Sequence, residues 1–141
     1  MSISLKALYD QVQGLVSKPS EYKETVIYSG SLTSGNCKLS SGLSNFKIIC
    51  IESRNSSSGD VGNGVNFIPI STFDTFGKID IYIGGDGRSS NGRHVFVNRV
   101  DDTTLSFSPY DCNFNLYKVK GLNLYYKLRA FVSEVISCLS R

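Results

Sequence analysis

The stretch Lys78-Ile79-Asp80-Ile81-Tyr82-Ile83 sets three isoleucines on one face and Lys78, Asp80 and Tyr82 on the other. A period of two marks a strand with one face buried and one face wet. Working outward, the same reading recurs. His94-Val95-Phe96-Val97-Asn98 is the next strand, and Asp101-Asp102 turns the chain into Thr103-Thr104-Leu105-Ser106-Phe107-Ser108, which alternates again. Phe114-Asn115-Leu116-Tyr117-Lys118-Val119 follows. On the other side, Phe67-Ile68-Pro69-Ile70 carries a proline, which suits an edge strand. Phe46-Lys47-Ile48-Ile49-Cys50-Ile51 is apolar on both faces, as expected of a central strand. Val26-Ile27-Tyr28 and residues 36–39 complete the set. Short strands separated by turn signals at this spacing predict a mainly β fold, an antiparallel β-sandwich of jelly-roll-like type.

Two segments read differently. Leu5, Leu8, Val12 and Leu15 follow 3-4-3 spacing, so residues 3–17 are expected to form a short helix capped by Ser2 or Ser4. Lys18-Pro19-Ser20 ends it as a linker. A helix this short is marginal alone, so its seam must bury against the domain or against the same helix in sister chains. The narrow seam and the linker favour the second, an oligomerisation stalk. At the other end, Leu124, Leu128, Phe131, Val135 and Cys138 recur at 4-3-4-3 spacing and predict a helix over 124–139. Its first residues, Leu124-Tyr125-Tyr126, also read as an extension of the preceding strand. The expected organisation is therefore a helix and linker in 1–20, then a β-sandwich domain in 21–141 that ends in this helix.

Composition removes several classes. The 141 residues include 22 serines and 13 glycines, and only 19% are charged. Such a mixture favours turns and strands over a helical bundle. The length argues for one domain with a real core. No run approaches the roughly 18 apolar residues of a membrane helix, so no membrane insertion is expected. No basic segment followed by an apolar run opens the chain. The net charge of +3 is mild and its 15 Lys and Arg are scattered, so no nucleic-acid partner is expected. Cys37, Cys50, Cys112 and Cys138 include no CxxC pair and meet a single histidine, His94, so no zinc site is expected. Free thiols are the default, and a Cys37–Cys50 disulfide would need their strands to pair.

The polar, glycine-rich stretches 52–64 and 84–93 read as loops projecting from the sheet ends. The second is the stronger candidate binding site. It offers Asp86, Arg88, Asn91 and Arg93, followed by His94, and its glycines let a ligand approach the backbone. The plain alternative is a solvated hairpin tip. Gly84-Gly85-Asp86-Gly87 lacks the lysine and Ser/Thr of a phosphate loop, and Asp60 and Asp86 lack the alternating acids of a calcium loop. No cofactor or metal is therefore expected. His94 has no Gly-x-Ser-x-Gly partner motif, and no paired carboxylates stand in a catalytic pattern, so no catalytic residue is assigned and no enzyme is expected. Phe107, Tyr110, Phe114 and Tyr117 read as an aromatic cluster, with Phe107 and Phe114 in the core and Tyr110 available to a ligand.

Ile27-Tyr28-Ser29-Gly30-Ser31-Leu32-Thr33-Ser34-Gly35, then Leu39-Ser40, then Asn45-Phe46-Lys47-Ile48-Ile49-Cys50-Ile51-Glu52 form a pattern. An aromatic-Ser/Gly opening leads through a short turn strand to Asn-Phe and an apolar strand. With Thr104-Leu105-Ser106-Phe107 and Leu116-Tyr117-Lys118-Val119-Lys120-Gly121-Leu122 as closing strands, residues 24–122 resemble small β-domains in tail fibres and other minor virion proteins of tailed bacteriophages. The opening aromatic is Tyr28 where such domains usually carry Trp, and the expected C-terminal helix is a departure, since they often finish at the last strand. The resemblance implies a non-enzymatic virion protein, a tail fibre or tip component that is assembled in the bacterial cytoplasm and binds a host surface glycan or protein through loops. It implies a homo-oligomer, preferably a trimer, held by Leu5, Leu8, Val12 and Leu15, and contacts with other phage virion proteins. A decoration or adaptor protein of the virion, or a separate carbohydrate-binding module, are the competing readings.

Overall fold

A computed structural model describes residues 4–16, 21–57, 60–83, 93–125, 136–137 and 139–140. The chain divides into two compact units, Met1–Lys23 with Leu124–Arg141, and Glu24–Asn123.

In the first unit, α1 spans Leu5–Val16. Ser4 caps it: its hydroxyl accepts from Ala7 N at 3.1 Å and its carbonyl from Leu8 N at 3.0 Å. Lys6 and Asp10 form an i,i+4 ion pair. At the far end of the chain the helix expected over 124–139 is corrected at its start. Leu124 and Tyr125 continue a strand, which the Leu-Tyr-Tyr text also allowed. Ile136, Ser137 and Leu139 have helical backbone, and Ser140 N donates to Ile136 O. The remainder of that expected helix lies outside the described residues.

The second unit is built from strands. They are β1 (Glu21–Leu32), β2 (Gly35–Lys38), β3 (Ile48–Ser57), β4 (Asp60–Pro69), β5 (Lys78–Tyr82), β6 (His94–Asp101), β7 (Thr104–Tyr110) and β8 (Phe114–Tyr125). The short helix α2 (Ser71–Phe76) stands between β4 and β5 and stops at Gly77, whose φ of 68° lies in the left-handed region. The strands make two four-stranded antiparallel sheets, ordered β1-β8-β3-β4 and β2-β7-β6-β5. β1 with β8 and β2 with β7 pair across the sequence like a folded-over hairpin. β3–β4, β5–β6 and β6–β7 are hairpins within a sheet.

The buried faces of both sheets contribute to one hydrophobic cluster. Ile27, Ile49, Ile51, Ile68, Leu116 and Val119 come from the first sheet, and Cys37, Ile81, Val95, Val97, Leu105 and Phe107 from the second. Phe107 of β7 stacks on Phe114 of β8, ring centroids 5.6 Å apart, joining the two sheets. The sheet edges also meet. Ser40 N donates to Ile27 O at 2.8 Å, linking β1 to the residues after β2. Asn66 Nδ2 donates to Tyr82 O at 3.1 Å, linking β4 to β5, and Gly64 leaves room there for the backbone of Ile83. Pro69 sits in the edge strand β4, where its missing N–H costs no ladder bond.

In the expected loop over 52–64, the described residues 52–57 and 60–64 are instead ladder. β3 and β4 stay paired from Ile48↔Pro69 to Ser57↔Asp60. Alternation persists there in polar dress: Ser53 and Asn55 are buried while Arg54 and Ser56 are exposed. Composition hid the strand because small polar residues and glycines occupy its inward positions. Cys37 and Cys50 lie in different sheets and both are free thiols, as is Cys112.

Strand direction gives this unit two unlike ends. At one end meet the pairs Ser57↔Asp60, Tyr82↔His94↔Tyr110 and Asn55↔Phe114, beside the β1–β2 turn. At the other lie α2, a 3₁₀ turn at Leu43–Asn45, the β6–β7 turn, and both points where the chain enters at Glu24 and leaves at Asn123. That second end is bolted by Asp102. Its carboxylate accepts from Ser44 N (2.9 Å), Ser44 Oγ (2.8 Å) and Arg99 Nη2 (2.8 Å), and its carbonyl accepts from Leu43 N (2.7 Å). The Ser44 backbone and hydroxyl bonds, then Arg99, hold the Asp102 carboxyl below its ordinary value. Asp101 is likewise lowered, first by the Thr104 hydroxyl and then by Thr103 N–H.

Because these folded-state values are depressed, their stabilisation is present above the ordinary carboxylate value of about 3.9. It is lost as pH falls through the lowered values. Urea midpoints measured from pH 6 down to pH 2 are expected to fall steeply below about pH 4. Asp102→Asn is expected to be less stable at pH 6 and to fall less across the acid range. A second device is steric: Phe46 lies over Gly121, and a methyl at Gly121 would overlap its ring. Gly121→Ala is expected to cost about 1–3 kcal/mol in the same denaturation assay.

Candidate functional site

The outward face of the second sheet is set by register. Residues directly opposite on neighbouring strands share a face, so Tyr82, His94 and Tyr110 form one rung, Asp80, Phe96 and Ser108 the next, and Lys78, Asn98 and Ser106 a third, which β2 extends with Asn36. Their neighbours Ile81, Val95, Val97 and Phe107 point inward and are buried. The first rung stands at the end away from the chain's entry and exit points.

That rung is aromatic and open. Tyr82 is 51% and Tyr110 64% exposed. The His94 ring meets Tyr82 edge-on, centroids 6.4 Å apart. His94 Nδ1 lies 3.0 Å from Asp80 Oδ1, and both side chains are only partly covered. A proton on Nδ1 donated to Asp80 leaves Nε2 as an acceptor. One rung further in, the Lys78 ammonium sits 3.7 Å over the Phe96 ring, a cation–π contact.

The turn beside the rung is held from both sheets. The Arg93 guanidinium donates to Asp111 O. Cys112 Sγ donates to His94 O at 3.4 Å. Ser56 N, from β3, donates to Asn113 O at 3.0 Å. Asp111 itself takes a φ of 52°, the left-handed region that aspartate adopts more readily than most non-glycine residues. Ile83 N donates to Arg93 O at 3.2 Å and closes the β5–β6 pair. The site is therefore supported by fixed hydrogen bonds.

Of the residues the sequence singled out, Arg93 and Tyr110 come together at this end. Asp86, Arg88 and Asn91 lie outside the described residues. Phe107 and Phe114 stack in the core, as expected, while Tyr110 and Tyr117 stand on the outer faces of different sheets. Asp80 and Tyr82 were missed although the signal was present. The alternation that buries Ile81 and Ile83, and packs Ile79 partly against the core, sends Asp80 and Tyr82 to the opposite face. In α1, Leu5 is 86% and Val12 38% exposed, Leu8 is half-buried, and the side chain of Leu15 lies outside the described part.

On the outer face of the first sheet, Lys120 is held between the carboxylates of Glu24 (2.8 Å) and Glu52. These hydrogen bonds, Glu24's first, push its pKa up. Among the described residues no group of three or more His, Cys, Asp or Glu side chains could hold a metal ion, and no helix is long and apolar enough to cross a membrane.

No known family model matches the chain, and no curated protein is significantly similar to it.

Cysteine accessibility gives a test of the geometry near the rung. Burial pushes the Cys37 thiol up to about 11 and raises Cys50 and Cys112 as well. Cys112 is only half-buried, whereas Cys37 and Cys50 are buried. Iodoacetamide at pH 8 followed by peptide mapping is expected to label Cys112 before Cys37 and Cys50. Equal labelling of Cys37 would contradict the core placement.

Proposed function

We propose that this chain is a non-enzymatic attachment protein of a bacteriophage virion, a tail fibre or tip component that binds a host surface structure. The observation that supports this reading is the polarity of the β unit. The chain enters and leaves at one end, and the exposed aromatic rung with its supported turn stands at the other. An attachment protein needs that division, because the end joined to the particle must not be the end that meets the cell. The two sheets sharing one core fit a β-sandwich, and the nested β1–β8 and β2–β7 pairs support the jelly-roll-like reading of its connections.

The exposed Leu5 and Val12 of α1 support the oligomerisation seam. A helix of 12 residues leaving leucine and valine in water gains from packing against copies of itself. The assembly in this reading is a homotrimer carried in the virion, with other phage proteins as neighbours and no cofactor.

Two measurements test it. Light scattering of the purified protein is expected to give the mass of about three chains, and Leu8→Asp is expected to give one. A monomer that deleting residues 1–18 leaves unchanged would defeat the stalk. Fluorescently labelled protein is expected to decorate cells of some strains in a bacterial panel. Capture of virion proteins only, with no cell decorated, would favour the adaptor reading.

A further inference from the structure

We propose that the Tyr82–His94–Tyr110 rung, with Asp80 and Ser108 beside it, is a stacking platform for a surface oligosaccharide. This rests on the attachment reading and names its ligand.

Four observations point to a saccharide. First, two exposed tyrosines flank His94 on neighbouring strands, so their backbones stand two inter-strand spacings apart, about 10 Å. That span suits successive rings of a short oligosaccharide better than one small molecule. The C–H-rich face of a pyranose stacks on such rings, and their phenol groups remain free to hydrogen-bond.

Second, the polar groups between the rings suit hydroxyls. Asp80 keeps acceptor capacity beyond its bond to His94, His94 Nε2 has no partner among the described residues, and Ser108 is exposed on the adjacent rung. A sugar diol offers alternating donors and acceptors to this set.

Third, the cations among the described residues here are engaged, Lys78 over Phe96 and Arg93 on Asp111 O, and Asp80 adds a carboxylate. A polyanion such as nucleic acid would need several free cations in a row. Fourth, the rungs beyond carry the small polar residues Asn98, Ser106, Asn36 and Ser108, and their one aromatic ring, Phe96, lies under the Lys78 ammonium. A protein interface of standard size needs roughly 800 Å² per partner with an apolar centre, which this face does not offer. The exposed aromatic rings of this face are those of the tip rung, with Phe96 on the next rung lying under Lys78, and that footprint suits a sugar chain.

The test uses the full-length protein on bacterial strains that it decorates. Cells are assayed untreated, after periodate oxidation of their sugar diols, and after protease digestion. Variants Tyr82→Ala, Tyr110→Ala, Asp80→Asn and the remote Tyr117→Ala are compared, with Tyr82→Phe as the conservative control. Thermal unfolding checks that each variant folds.

The expected result is adsorption abolished by periodate but not by protease. Affinity should drop about tenfold for either alanine variant of the rung, with Tyr117→Ala unchanged and Tyr82→Phe largely retained. Adsorption that survives periodate and is lost on protease treatment would overturn the saccharide and leave the attachment reading standing. Equal adsorption by wild type, Tyr82→Ala and Tyr110→Ala would overturn the site. Failure to decorate any strain would count against the attachment reading itself, and this inference would fall with it.

Discussion

The pairing of β3 with β8 is the constraint on which the rest depends. Side chains along a strand alternate with a period of two, so a slip of one residue would turn Ile49, Ile51, Leu116 and Val119 out of the core. Register is pinned at several points. Phe46 closes over Gly121, where only a residue without a side chain fits. Lys47 N and Asn123 Nδ2 cross-link the strand ends through Leu122 O and Asn45 O. Lys120 is clamped between Glu24 of β1 and Glu52 of β3. A register shift at Glu52/Ser53 then lets the ladder continue to Asn55↔Phe114. With β8 fixed, β1 and β3 are fixed on either side of it, and the rung end and the entry end are separated by the length of the strands.

Much of the β framework could be read from residue alternation alone. Strands with isoleucine or valine at every second position, such as β5 and β6, announce themselves because their buried face is wholly apolar. Pro69 marked an edge strand, and the apolar run Ile48–Ile51 marked a central one. The outer halves of β3 and β4 were read as loop because their inward residues are Ser53, Asn55 and Gly64. There the opposing edge approaches so closely that Gly64 leaves space for the Ile83 backbone, and a large apolar side chain has no room. Sequence hydrophobicity reports volume to be filled, and it goes silent where two backbones fill the space themselves.

The candidate site was legible in fragments. Tyr110 and Arg93 could be named from residue type. Asp80 and Tyr82 became part of the same site only through the register Tyr82↔His94↔Tyr110, which no single strand contains. The support beneath the rung is equally non-local. Ser56 and Asn113 are 57 residues apart in sequence, and Arg93 and Asp111 are 18 apart. The helix α2 was missed because six residues are too few for a helical period to show. Its stop at Gly77 is a signal only once the helix is known.

Fixed register divides the β unit into an entry end and an end that carries the Tyr82–His94–Tyr110 rung. Paramagnetic relaxation by NMR measures this division, with a spin label on Ser34→Cys in a background lacking the native thiols. The account predicts selective broadening at Ser56, Arg93 and Asn113, with Glu24, Asn45 and Asn123 spared. Broadening at those last three positions, with Arg93 and Asn113 unaffected, would contradict it.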